Sequence, residues 1–230
     1  MQNTRNINRF NEDLALLPIK EKIYEIIKGK IIDFSYKPGQ QLIEQNLSNK
    51  FGVSKSPVRE AFQRLEGDGL VHLIPYKGAY VTALSMQEFK EICQLREALE
   101  VFCLEKGMIS YSKEDIEDFK KTMELFENKL ERKEEMKAIE YHFSFHYLIV
   151  KKLNNKLIEN TYAKIHGKME RYLLLASKVR PKRLEVSNTE HYGILEAMEN
   201  GNVSCAVDEL KKHLSHVVET LTDDILQVLP

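Results

Sequence analysis

Four histidines are spaced so that they could share one metal ion. Six of the seven histidines follow residue 140. His142 and His146 stand at i and i+4, on one helical face about a turn apart. His191 and His213 flank the turn signal Asn200-Gly201. Each is about ten to twelve residues from it, so about 15–18 Å along its own helix at 1.5 Å per residue. In an antiparallel pair of helices they would lie at the same level. A pair from one helix plus one ligand from each of two others can close on a metal in a bundle core. Imidazole suits zinc, nickel, iron, copper and manganese to differing degrees, so the spacing names no single metal. Unrelated packing histidines would give the same spacing, and His166 and His216 follow no such pattern.

A second set of residues suits anions and base edges. Phe51 to Val71 reads FGVSKSPVREAFQRLEGDGLV. Gly52-Val53-Ser54 is a tight turn in which the glycine tolerates positive φ. Ser54 or Ser56 can cap the following helix, and Pro57 suits its first turn. Val58, Ala61, Phe62 and Leu65 repeat at helical spacing and would bury one face. Lys55, Ser56, Arg59 and Gln63 lie on or near the other. Short polar and cationic side chains at a helix N-terminus are what phosphates and base edges require.

The surrounding pattern supplies the elements that position both sets. Ile19 to Phe34 is an amphipathic helix with Ile19, Ile23, Ile26, Ile27 and Ile31 on one face. Lys37-Pro38-Gly39 ends it, and a short helix is expected over Leu42–Phe51, then a third over Lys55–Glu66. Short strands near Leu70–Ile74 and Ala79–Thr82, joined by Pro75-Tyr76-Lys77-Gly78, complete a winged helix. At the wing tip Lys77 suits a minor-groove or phosphate contact, and Gly78 permits close backbone approach. From Ser85, whose Ser-Met-Gln-Glu is a capping box, everything reads helical. Helices are expected near 85–107, 113–131, 135–152, 155–178, 183–199 and 203–226. The fold is therefore mainly α: an N-terminal winged helix-turn-helix and a C-terminal all-α bundle of about six helices. The expected divisions are an arm over 1–18 carrying Arg5 and Arg9, a winged-helix domain over 19–83, and a helical domain over 84–230.

The front segment resembles the DNA-binding domain of the GntR family of bacterial transcription regulators. PGQQL, FGVSKSPVREAFQRLEGDGLV and PYKGAYVT carry the resemblance, in the family's order and spacing. It implies a homodimer on a palindromic double-stranded operator. It also implies DNA contacts from Ser54, Lys55, Ser56 and Arg59 on the reading helix and from Lys77 and Gly78 on the wing. Lys55 stands where arginine is usual, and lysine lacks arginine's planar fork for guanine. Gln45 stands where some relatives carry a cation. The rear segment resembles the ligand-binding domain of the FadR subgroup, often called FCD, through LREALE, HFSFH followed by Asn155, and EHYGILEAMENGN with a later HL. Many relatives carry Asp-x-x-x-His and two later histidines as a metal site. By position His142 replaces that aspartate, and His146, His191 and His213 match the histidines. The implied cofactor is a divalent transition metal: zinc, nickel or manganese. The implied effector is a small carboxylate, with Arg96 matching a family arginine and Arg171 a second candidate. The alternative for Arg96 is an ion pair with Glu100 in the same helix. Asn188 and Tyr172 are candidate pocket residues, and Glu190 is a candidate support for His191.

Composition agrees with this picture without deciding it. The chain has 230 residues, 43% hydrophobic and 30% charged, as in ordinary globular proteins. The net charge of −1 divides into +3 over 19–82 and −4 over 83–230, modest support for a nucleic-acid face at the front. No apolar run is long enough to span a membrane, and the polar N-terminus is no signal peptide. Three cysteines without a pairable framework fit buried thiols in a reducing cytoplasm. The leading expectation is an effector-controlled transcription regulator, a repressor, and not an enzyme. The competing readings are a constitutive dimeric DNA-binding protein with a metal-free rear domain, and a metal-dependent hydrolase or dioxygenase.

Overall fold

The computed structural model describes residues 17–180 and 182–220. The chain forms two compact units, Met1–Ala83 and Leu84–Pro230. Arg5, Arg9, Pro181 and the expected end of the last helix lie outside the described residues.

In the first unit, α1 (Ile19–Ile32), α2 (Glu44–Phe51) and α3 (Lys55–Gly67) pack with a three-stranded sheet. Ile23, Tyr24, Ile27 and Ile31 of α1 meet Val58, Ala61, Phe62 and Leu65 of α3 in a core closed by Leu70, Val71, Ala79 and Val81. Burying a side chain the size of Phe62 contributes about 1.5–3 kcal/mol. Ile19, expected on the buried face, is 56% exposed because it sits at the first turn, and Tyr24 takes the core position instead. Gly52 ends α2 in the left-handed region at φ 65°.

The sheet has one strand more than the sequence pattern suggested. Gln41–Leu42 (β1) pairs antiparallel with Gly78–Val81 (β3), which pairs with Val71–Ile74 (β2). Leu42, expected to begin α2, is thus a strand residue facing Ala79. This pairing also changes the account of Gly78. Its φ is +95°, and a Cβ there would lie 2.7 Å from the Leu42 carbonyl oxygen. One close backbone approach that needs glycine is therefore within the sheet, between β1 and the start of β3. Gly78→Ala should destabilise this unit by about 1–3 kcal/mol through backbone strain and displacement of β1. A urea titration of the two proteins, read by circular dichroism, checks this.

The second unit is all helical among its described residues: α4 (Met86–Gly107), a 3-10 turn (Met108–Ser110), α5 (Lys113–Glu131), α6 (Glu135–Lys152), α7 (Lys156–Val179), α8 (Arg183–Glu199) and α9 (Val203–Thr220). Helix α5 packs on α6 and α8 on α9, while α4 lies against α6, α7 and α9. Local signals set the helix starts. Ser112 and Asp115 form a reciprocal capping box for α5, and the Asn155 side chain accepts from Leu157 and Ile158 N–H at α7. At α4 only half of the expected box forms. Ser85 Oγ accepts from Glu88 N–H, but the Ser85 N–H donates to Tyr172 Oη, and Glu88 accepts from Lys168. Tyr172 thereby ties α7 to the start of α4.

Cys93 and Cys103 are buried, and burial raises both thiols to about 11; Cys205 is exposed, unlike the expected buried thiol. No described helix is long and apolar enough to cross a membrane.

Candidate metal centre and nucleic-acid interface

The four spaced histidines converge. His142 and His146 from α6, His191 from α8 and His213 from α9 are each fully buried, and one ligand atom from each lies within 4.8 Å of the others. His191 Nε2 is 3.0 Å from His146 Nε2 and 3.4 Å from His213 Nε2. Asn200-Gly201 sets the level of α8 against α9. Gly201 takes φ +66°, and the Asn202 side chain accepts from Cys205 N–H at the start of α9.

The tautomers follow from the partners behind the rings. His146 Nδ1 lies 2.7 Å from Glu100 Oε2, and His213 Nδ1 lies 2.6 Å from Glu190 Oε2. A carboxylate only accepts, so each Nδ1 carries the proton and each Nε2 presents a lone pair. His142 Nδ1 is 3.3 Å from Ser187 Oγ, and its Nε2 is buried without a hydrogen-bond partner. Burial lowers the pKa of all four histidines; neighbouring rings and Arg96 add to this at His142, His146 and His191, whereas at His213 Glu190 opposes it and Arg96 adds to it. Four neutral imidazoles thus converge in a buried pocket, with the Nε2 lone pairs of His146 and His213 turned toward His191 and with His142 Nε2 without a hydrogen-bond partner. That donor set fits a divalent transition metal, with imidazole nitrogens as ligands and carboxylates behind two of them. Phe145 stacks on His191 at 4.5 Å and Phe126 meets His142 edge-on at 5.8 Å, which keeps the centre apolar on those sides.

Arg96 lies one carboxylate away from this centre. Its Nε donates to Glu100 Oε1 at 2.5 Å, and both side chains are buried. The ion pair within α4 therefore forms, yet one Nη of Arg96 remains buried without a hydrogen-bond partner. Tyr162 Oη also donates to Glu100, at 2.6 Å. Burial works against the charge of Arg96, but Glu100 outweighs it and holds the guanidinium protonated. Arg171 is differently placed. It is buried on α7 and lowered to about 10 by burial, with Tyr172 and Glu88 among the groups that oppose this shift. The charge acting on all four histidines is that of Arg96.

Glu190, considered as support for its neighbour His191, instead reaches His213, His216 and Arg183. Burial would raise its pKa, but His213, Arg183 and His216 hold it down to about 2. Glu100 and Ser187 escaped sequence reading as histidine partners; the only signal was the i, i+4 spacing of Arg96 and Glu100. Asn188 lines an open cleft with Leu130 and Leu184, whereas Tyr172 belongs to the α4–α7 contact.

In the first unit, Lys55, Arg59 and Gln63 of α3 line an open groove with Tyr76, Lys77 and Gly78 of the wing. Ser54 occupies the N-cap of α3, but its hydroxyl makes no capping bond. Ser54, Lys55 and Ser56 are exposed at that N-terminus. The first turn of α3 contains no acidic residue, unlike those of α1, α2 and α4 to α8. No side chain of that first turn offsets the positive end of its dipole. Tyr76, which sequence reading passed over, is fully exposed at the wing tip with φ 64°.

Comparison with known proteins agrees with this architecture. Residues 19–81 match the bacterial regulatory proteins of the gntR family, and residues 91–216 match the FCD domain. The chain belongs to the GntR family. Its GntR-type relatives include the HTH-type transcriptional regulator YdhC of Bacillus subtilis (strain 168), 27% identical over 89% of this chain and 91% of that protein. The gluconate operon transcriptional repressor of Bacillus licheniformis is 30% identical over 68% of this chain and 64% of that protein. A GntR transcriptional regulator from Rhodococcus sp. RHA1 shares the fold with a TM-score of 0.75 at 20% identity, covering 92% of this chain and 99% of that structure. This GntR protein is thus a DNA-binding transcription regulator with an FCD domain, in a family of regulators rather than enzymes.

Proposed function

We propose that this GntR protein is a repressor whose operator binding is controlled by a small carboxylate bound beside a metal ion in the FCD domain. The observation carrying this reading is the buried set of four convergent imidazoles with an unsatisfied Arg96 nitrogen next to it. His142, His146, His191 and His213 hold the ion through Nε2. Glu100 and Glu190 orient His146 and His213 and raise their basicity. A bound divalent ion would supply positive charge that attracts the oxygens of a carboxylate. Arg96 supplies a charge-assisted hydrogen bond to the effector carboxylate. Arg171, buried on α7, is the second candidate for that carboxylate. The relative named for the gluconate operon supports an organic acid as the effector class.

Two copies of the chain place two α3 helices on the half-sites of a palindromic operator. Ser54, Lys55 and Ser56 take phosphates at the α3 N-terminus, Arg59 reads a base edge, and Lys77 reaches the neighbouring backbone or minor groove. Gly78 serves the wing's shape. The effector changes operator affinity only by its differential affinity for the two states of the dimer.

Elemental mass spectrometry on tag-free protein purified without chelator tests the metal. Near one ion per chain is expected; a value near zero that persists after incubation with zinc, nickel and manganese rejects the site. Metal-loaded protein is then titrated with small carboxylates while operator affinity is followed. Glu190→Gln should weaken metal affinity about 10–100-fold, because His213 loses its ionised partner. Competition with a chromogenic chelator measures this directly.

A further inference from the structure

The groove between α3 and the wing contains a carboxylate where a DNA-facing surface should favour cations. Glu44 opens α2 and is partly buried. Arg59 Nε donates to Glu44 Oε1 at 3.0 Å and Arg59 Nη2 donates to Glu44 Oε2 at 2.8 Å. This is a two-pronged pairing that uses one edge of the guanidinium. Both residues line the same groove, with Lys55, Gln63 and Lys77. Arg59 itself is well exposed, at 59% of its side chain, and a long exposed arginine would otherwise sample many rotamers.

The guanidinium has two edges that can each make a planar pair of bonds. The Nε–Nη2 edge is occupied by Glu44, and the Nη1–Nη2 edge is left for another acceptor pair. Guanine offers such a pair at O6 and N7 in the major groove. We propose that Glu44 is a positioning residue for DNA recognition: it clamps the side edge of Arg59 so that the outer edge is presented to a guanine. The proposal rests on the reading of α3 as the base-reading helix. Glu44 adds no attraction for phosphate and by its charge opposes it. Its contribution is base discrimination, with a cost in non-specific affinity. An exposed ion pair of this kind adds little to folding stability. Positioning rather than stability is thus the consequence of the geometry.

The test uses the full-length chain and a duplex library with a randomised central segment. Bound and unbound fractions are sequenced for the wild type, Glu44→Gln, Glu44→Ala and Arg59→Ala. Affinity for the unselected library is measured in parallel. Wild type should enrich guanine at one position per half-site, and Arg59→Ala identifies that position by losing it. Glu44→Ala should reduce the guanine preference at the same position by about 10-fold, while binding the unselected library at least as tightly as wild type. Glu44→Gln retains one acceptor and should fall between the two. It also serves as the readout should the alanine variant melt early by circular dichroism. An unchanged preference in both Glu44 variants overturns the proposal. So does a loss at a position other than that of Arg59, which would mean that Glu44 reads a base itself. A parallel fall in specific and non-specific binding by Glu44→Gln overturns it too, because that is the signature of a merely structural role. If wild type enriches no sequence, the base-reading assignment of α3 fails first, and the positioning proposal with it.

Discussion

Replacing His146 by alanine is expected to remove high-affinity metal binding and the stabilisation that comes with it. His146 is fully buried, and its Nε2 is 3.0 Å from His191 Nε2 in the cluster of four. In the wild type, metal at about 1,000 times its dissociation constant should raise folding stability by about 4 kcal/mol, because only the folded chain assembles the ligands. His146→Ala leaves three imidazoles and should weaken affinity by at least about 100-fold, an expectation set above the 10–100-fold loss typical of outer partners. It also removes the partner of Glu100, whose second oxygen remains engaged by Arg96 and Tyr162. Stranding a buried carboxylate oxygen costs about 1–3 kcal/mol even without metal. The variant should therefore melt below wild type in chelator and show almost no rise on adding zinc or nickel. Calorimetry with and without metal checks both effects. An equal rise in the two proteins would remove His146 from the site.

Arg59→Ala is expected to abolish operator recognition while leaving the rear domain's metal content unchanged. A two-pronged arginine–guanine contact in each of two half-sites corresponds to a combined loss of roughly 10²- to 10⁴-fold in specific affinity. The variant also leaves Glu44 without its fork, so an uncompensated carboxylate faces the DNA and non-specific binding weakens too. The core beneath is untouched, because Val58, Ala61, Phe62 and Leu65 carry the buried face of α3. Thermal unfolding should thus remain close to wild type. Fluorescence anisotropy with the selected duplex, at two salt concentrations, separates the specific from the non-specific loss. Full retention of specific affinity would show that Arg59 does not read the operator.

These two residues illustrate how far one-dimensional information extends. The sequence alone determined the winged helix and the helical rear domain, because apolar periodicity, caps and glycine turns are local properties. It also determined that His142, His146, His191 and His213 could share one level of a bundle, since helix rise converts spacing into height. It did not determine which side-chain atoms meet. Glu100 and His146 lie 46 positions apart, and Arg59 and Glu44 lie 15 apart. Such contacts depend on the rotation and crossing of whole helices, to which a local pattern is blind. The same reason hid β1: two residues, Gln41 and Leu42, become a strand only because β3 lies beside them. It likewise hid why residue 78 is glycine, which the Leu42 carbonyl decides. Only the tertiary structure brought the spaced histidines within reach of one another, and left the Arg96–Glu100 pair, the alternative for Arg96, with one buried guanidinium nitrogen that has no hydrogen-bond partner. Burial away from water makes a nitrogen without a hydrogen-bond partner costly at either place.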